Sequence, residues 1–183
     1  MSNLFPRHTA TKKGAPLLIR EARKTDAPAL IEYVQTVAGE TDFLTFGAGE
    51  FQLTVREEES FIEKSRKEPN QLCIIAEVDG RIAAMLNVHA SPKKRLRHIG
   101  EFGITVRKDH WGEGIGTKLM EAMLDWARAS KALRKLNLKV QVNNTAAIRL
   151  YERFGFEKEG RIRRDSCVEG RFYDTYLMGL LID

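Results

Sequence analysis

Apolar positions along the chain first cluster as a short strand over residues 17–22, Leu17-Leu18-Ile19-Arg20-Glu21-Ala22. The spacing then turns helical. Ala29, Leu30, Tyr33, Val34 and Val37 share one face, with Asp26 as the expected N-cap, Pro28 in the first turn and Gly39 as the stop. Residues 40–50 read as a loop rich in glycine, phenylalanine and acids. A second helix is predicted from Val55 to Lys67, with Val55, Phe61 and Ile62 turned partly inward and Pro69-Asn70 ending it.

The middle of the chain is strand. Residues 71–78 are β-rich, Asp79-Gly80 is a hairpin turn, and residues 81–89 return. A basic loop (Lys93, Lys94, Arg95, Arg97) leads to a third strand over 98–106. Residues 114–129 follow as an amphipathic helix with Ile115, Leu119, Met123 and Trp126 on one stripe. Residues 136–142 alternate as a strand, residues 146–154 form a short helix ended by Gly155, and two last strands (156–167 and 172–181) meet at Glu169-Gly170. The order βααβββαβαββ predicts a mixed α/β (α+β) fold: a mostly antiparallel sheet of about seven strands flanked by about four helices. No internal repeat and no low-complexity linker divides it. Residues 1–16 are expected to be an N-terminal tail that frays or covers an edge, and residues 17–183 a single domain.

Composition narrows the partners. The 183 residues carry 30 Lys plus Arg against 25 Asp plus Glu, a net charge of +5 that suits a polyanionic partner of some kind. No apolar run has the length of a membrane span, and the polar N-terminus lacks the apolar core of a secretory signal. The two cysteines, Cys73 and Cys167, are expected to be buried small hydrophobes, and the four histidines show no ligand spacing. A metal site and a membrane partner are therefore not expected, and a reducing cytoplasm fits.

The stretch Trp111-Gly112-Glu113-Gly114-Ile115-Gly116-Thr117 joins a strand to a helix. A helix N-terminus offers unpaired amides and partial positive charge, and glycines let an anion approach that backbone. The alternative is a tight turn with no ligand. A dinucleotide fingerprint and a Walker A loop both require Gly where Thr117 stands.

Gly112-Glu113-Gly114-Ile115-Gly116 resembles the acyl-CoA signature Q/R-x-x-G-x-G/A of the GNAT superfamily of N-acetyltransferases, with Trp111 in place of the first Gln or Arg. Downstream, Asn144 to Phe156 is similar to the same family's N-x-x-A-x-x-L-Y-x-x-x-G-F segment, and the resemblance covers about residues 17–182. It implies that the backbone of residues 111–117 (Trp111, Gly112, Glu113, Gly114, Ile115, Gly116, Thr117) binds the pyrophosphate of acetyl-CoA. It also implies that the backbone of Ile104, Thr105 and Val106 pairs with the pantetheine arm, that Asn144 bonds the arm, and that Tyr151 sits near the sulfur. Arg107, Lys108 and Arg149 are candidate bases beside the phosphates. A homodimer is compatible with the family.

An alkyl amine titrates near 10.4, so presenting it neutral at pH 7 costs roughly 4.6 kcal/mol. That calls for a base, and the departing thiolate calls for an acid. Tyr151 is the candidate acid and Glu101, in the strand before the glycine turn, the candidate base; His98 and His110 are weaker candidates. Glu40, Asp42 and Glu50 suit a cationic acceptor, with Phe43, Phe46 and Phe51 as walls and Tyr173 and Asp174 as further candidates. The expected reaction is direct attack by a primary amine in a ternary complex, since no positioned Ser or Cys nucleophile is evident. A non-catalytic acyl-CoA sensor would not need Glu101 or Tyr151. A nucleic-acid module would rest only on residues 93–97 and on Arg161, Arg163 and Arg164, without a recognition motif.

Overall fold

A computed structural model describes residues 4–183. Its elements are β1 (Arg7–Ala10), β2 (Pro16–Glu21), α1 (Ala27–Ala38), α2 (Val55–Lys67), β3 (Leu72–Val78), β4 (Arg81–Ala90), β5 (Ile99–Val106), α3 (Ile115–Ser130), β6 (Lys135–Gln141), α4 (Thr145–Arg153), β7 (Glu157–Val168) and β8 (Arg171–Leu181). The strands form one sheet in the order β1-β2-β3-β4-β5-β6-β8-β7, and β5–β6 is its parallel pair. Among the described residues there are therefore eight strands rather than seven. The additional one is β1, which pairs with β2 from Arg7↔Ile19 to Ala10↔Pro16. The expected tail is an ordered edge strand from Arg7 onward.

The sheet is covered on both faces, and β3 is buried on both. Leu72, Ile74, Ala76 and Val78 join the larger cluster under α3 and α4, while Cys73 and Ile75 join a smaller one with Leu30 of α1 and Ile62 of α2. The stripe on α3 is buried as expected, with Ile115, Leu119 and Met123 at 1% exposure or less. Each such side chain contributes roughly 1.5–3 kcal/mol of burial free energy.

Three local expectations are corrected. Asp26 does not cap α1 with its side chain. Its carboxylate instead takes the Arg20 guanidinium at 2.7 and 2.9 Å and the Arg23 N–H at 2.7 Å. Val55 is 43% exposed because it opens α2 at a point where the helix has not yet met the sheet. Cys167 is exposed on edge strand β7; only Cys73 is buried, and burial pushes its thiol up to about 12.

The sheet opens at its centre. β5 and β6 pair only at Ile99↔Lys135, Gly100↔Leu136 and Glu101↔Asn137. Beyond that point β5 stays with β4 as far as Val106, and β6 stays with β8 as far as Gln141. Gly100 lets the pair close at the joint: a Cβ there would stand 2.8 Å from Val88 Cγ1 and 3.2 Å from the nearest carbons of Leu133 and Leu136.

Candidate active site

The strand register decides which backbone groups face the opening. Arg107 N–H donates to the Ala83 carbonyl, so the odd-numbered residues of β5 bond to β4. The even-numbered ones turn to the other edge, as the His98 carbonyl does in accepting from Arg134 and Lys135 N–H. The amides and carbonyls of Ile104 and Val106 therefore face the opening. Thr105 does not present its backbone there. Its hydroxyl instead meets Tyr33 Oη of α1 at 2.9 Å, and burial raises the Tyr33 phenol well above its ordinary value.

The glycine turn stands at the open end of β5. Gly112 and Gly114 have φ of +77° and +82°, a conformation that side-chain-bearing residues adopt only with strain. Gly116 lies within α3, and a Cβ there would meet Leu150, Ile104 and Val106 at 3.5–3.9 Å, ordinary contact distances. Helix α3 has no side-chain cap at its N-terminus and no acidic residue in its first turn. The entries of α2 and α4 are closed: Thr54 and Glu57 form a capping box on α2, and Asn144 Oδ1 accepts from Ala147 N–H on α4. Helix α1 also lacks a side-chain cap but carries Pro28 in its first turn. The uncapped α3 amides keep their capacity for an anion.

Trp111 and Glu113 have roles that their positions in the turn did not announce. The Trp111 indole N–H donates to the Val106 carbonyl at 2.8 Å, which ties the turn to the end of β5. Glu113 is buried, with Lys13 Nζ 2.8 Å from Oε1 and the His110 ring nitrogen 3.3 Å from Oε2. The Lys13 ammonium, helped by His110, holds the Glu113 carboxyl below its ordinary value against the opposing effect of burial.

The catalytic candidates lie on opposite faces. Tyr151 is 7% exposed and packs edge-on against Phe102, with ring centroids 5.7 Å apart. Burial pushes its phenol up to about 12, so it is protonated throughout the physiological range and keeps a proton to donate. Glu101 alternates with Phe102 and so points to the other face, the side on which α1 bonds Thr105. It is exposed, and it stands beside Asn137 where β5 and β6 part. His98 is exposed just before β5, and its backbone carbonyl is the part engaged.

Asn137 was missed from sequence. Its Oδ1 is buried and makes no hydrogen bond among the described residues. The signal was a lone amide within the alternating run Leu136-Asn137-Leu138. Gln141 was also missed; its Nε2 donates to the Asp42 carbonyl at 2.9 Å and fastens the 40–50 loop to β6. Of the acceptor candidates, Glu40 Oε2 accepts from Lys108 N–H at 2.8 Å, so one of its oxygens is used to hold the loop. Asp42 and Phe43 are exposed and Glu50 bonds Gly47 N–H within its own loop. Tyr173 is half-buried on β8, opposite Ser166, while the neighbouring Asp174 is paired with Arg161 at 2.7 Å. Arg107 is likewise drawn to Asp109 at 3.4 Å.

Among the described residues no group of three or more potential ligands gathers for a metal ion, and no helix is long and apolar enough to cross a membrane. The model of the acetyltransferase (GNAT) family matches residues 40–156. The acetyltransferase of that family from Streptococcus pneumoniae is 42% identical, with a TM-score of 0.89 over 91% of this chain and 99% of that one. The yncA structure from Salmonella typhimurium, solved with its cofactor acetyl-CoA, shares the fold at 21% identity, with a TM-score of 0.80 over 91% of this chain and 94% of that one. The L-amino acid N-acetyltransferase AaaT of Escherichia coli is 28% identical over 116 residues, 63% of this chain and 72% of that one.

Proposed function

The chain belongs to the acetyltransferase (GNAT) family, and from that premise we propose that it moves an acetyl group from acetyl-CoA to a primary amine by direct attack in a ternary complex. The observation that carries this reading is the uncapped N-terminus of α3 at the open end of a parallel strand pair that comes apart. The residues present suit the donor. The amides of Gly112 and of Gly114 to Thr117 would hold its pyrophosphate. Ile104 and the Val106 N–H would pair with its amide-bearing arm as an added strand does, while the Val106 carbonyl is already taken by Trp111. Asn144, whose oxygen caps α4, would use its Nδ2 toward the arm. When bound, acetyl-CoA supplies an activated acyl group and a thiolate leaving group.

Glu101 is the base in this reading: its carboxylate receives the ammonium proton of the acceptor, directly or through a water, before attack. Tyr151 Oη is the acid and donates toward the departing sulfur. A phenol near 12 is a weaker acid than a thiol near 8.5, so its main contribution is a hydrogen bond that stabilises negative charge on sulfur. Asp42, Phe43 and Tyr173 border the acceptor side, where exposed carboxylates favour a cationic amine.

The test is acetyl-CoA consumption across a panel of polyamines, amino acids, peptide N-termini and aminoglycosides, with coenzyme A binding followed by calorimetry. Turnover on at least one amine, lowered about tenfold or more in Glu101→Gln, is the expected result. Binding without turnover on any amine would instead make the protein an acyl-CoA sensor.

A further inference from the structure

The N-terminal hairpin reaches the glycine turn. Between β1 and β2 the chain turns at residues 11–15, held by Thr11, which is buried and whose carbonyl accepts the Ala15-side return through Gly14 N–H at 2.9 Å. From this turn Lys12 N–H donates to the Glu113 carbonyl at 2.8 Å, and Lys13 Nζ donates to the Glu113 carboxylate at 2.8 Å. The contact spans 100 residues of sequence.

The two lysines do different things. Lys13 is committed to Glu113. Lys12 lays its stem across the N-cap of α3: its Cγ, Cε and Cδ stand 3.2, 3.3 and 3.5 Å from where a Cβ on Gly114 would be. Among the described residues Lys12 has no ion pair, and it is exposed. A cation is thus delivered to a helix N-terminus that has no side-chain cap and no acidic residue in its first turn, while the carboxylate of the adjacent Glu113 is taken up by Lys13 and His110. The backbone amides there supply hydrogen bonds but no full charge, and a pyrophosphate carries about two negative charges that partial dipoles offset only in part. An ammonium on a flexible stem suits a phosphate as a mobile point charge.

We propose that Lys12 is a ligand of the pyrophosphate, brought to the N-terminus of α3 by the hairpin that Glu113 pins in place. The proposal rests on the reading of this turn as the coenzyme A site. It gives the N-terminal hairpin a part in donor binding and gives Gly114 a second reason to lack a side chain, beyond its φ.

Calorimetry on the full-length protein tests it, with coenzyme A and with dephospho-coenzyme A, which lacks the 3′-phosphate but keeps the pyrophosphate. Lys12→Met keeps the apolar stem and removes the charge. It should weaken both ligands roughly tenfold, raise KM for acetyl-CoA with kcat held, and leave Tm within about 1 °C. Lys12→Arg should restore most of the affinity. Equal affinities in Lys12→Met and the parent protein would overturn the proposal. A loss confined to coenzyme A would move the contact to the 3′-phosphate and overturn the pyrophosphate assignment. A loss that arginine does not restore, with a fall in Tm, would make Lys12 a packing residue only. If the parent protein binds neither ligand, the coenzyme A reading itself fails, a result distinct from the other three.

Discussion

The glycine turn at residues 111–117 and the loop at residues 40–53 both border the opening between β5 and β6, and they are held in different ways. The turn is fixed by its backbone conformation and by side-chain ties to the rest of the fold. Two left-handed glycines set its path, Trp111 ties it to Val106, and Glu113 anchors it to Lys13 and His110. The loop is tied to the rest of the molecule by Glu40 on Lys108 N–H and by Gln141 on the Asp42 carbonyl; most of its other bonds are internal. It exposes Phe43 at 40% and Leu53 at 40%. In the proposed function the turn takes a pyrophosphate, the same ligand in every turnover, for which backbone amides can be preorganised. An acceptor differs from one enzyme of a family to another, and side chains on a loosely tied loop can be exchanged without disturbing the donor end.

Removing the Tyr151 hydroxyl is the largest test of this division, because it should strike chemistry while leaving binding at both ends intact. Steady-state kinetics on Tyr151→Phe should show kcat lowered on the order of 100-fold, with KM for acetyl-CoA changed less than about twofold. An unchanged kcat would return Tyr151 to the core cluster it shares with Phe102 and Phe156.

A pair of glycine variants comes next and separates conformation from packing within the turn. Gly112→Ala forces a side chain into φ +77° at a cost of about 1–2 kcal/mol, so coenzyme A affinity should fall roughly tenfold or more. Gly116→Ala meets its neighbours at 3.5 Å and beyond, and should change Tm and affinity little, within about 0.5 kcal/mol. Equal losses in calorimetry would show that the turn is not held by left-handed backbone.

The anchor on Glu113 has a predicted pH dependence. Its folded carboxyl titrates below its ordinary value of 4.5, so the stabilisation it contributes is present above that value and is lost as pH falls through the folded one. Thermal melts of Glu113→Gln against the parent should therefore differ by a constant Tm gap from neutral pH down to about 5, and the gap should shrink in more acid solution. A gap independent of pH through that acid range would remove the Lys13 ion pair from the account. The smallest effect is expected on the loop. Phe43→Ala should shift Tm by less than about 1 °C, yet alter KM for the acceptor while KM for acetyl-CoA stays put. A parallel rise in both constants would mean that the two ends are not separable.

Much of this molecule was legible along the chain because it is set by neighbours in sequence. Apolar spacing marked α3, Asp79-Gly80 and Glu169-Gly170 marked hairpin turns whose φ values are all positive, and the alternating glycines marked the turn before α3. The split between β5 and β6 was not legible, since periodicity says that a strand exists but not how far it pairs. Thr105 was expected among the residues that pair with the donor arm, and register against β4 turned its backbone away instead. Glu40 was expected to meet an acceptor, and a distant amide on Lys108 took one of its oxygens. Residues 1–16 carry no strong pattern of their own, and β1 is a strand because β2 offers it an edge. Local backbone follows from the chain alone: the glycine conformations, the helix faces and the hairpin turns are all matters of φ, ψ and near-neighbour spacing. Tertiary structure alone decided which edges stay unpaired, which carboxylates are already spent, and that Lys12 and Lys13 arrive at a turn 100 residues away, because those depend on strand register and chain crossing that no local pattern encodes.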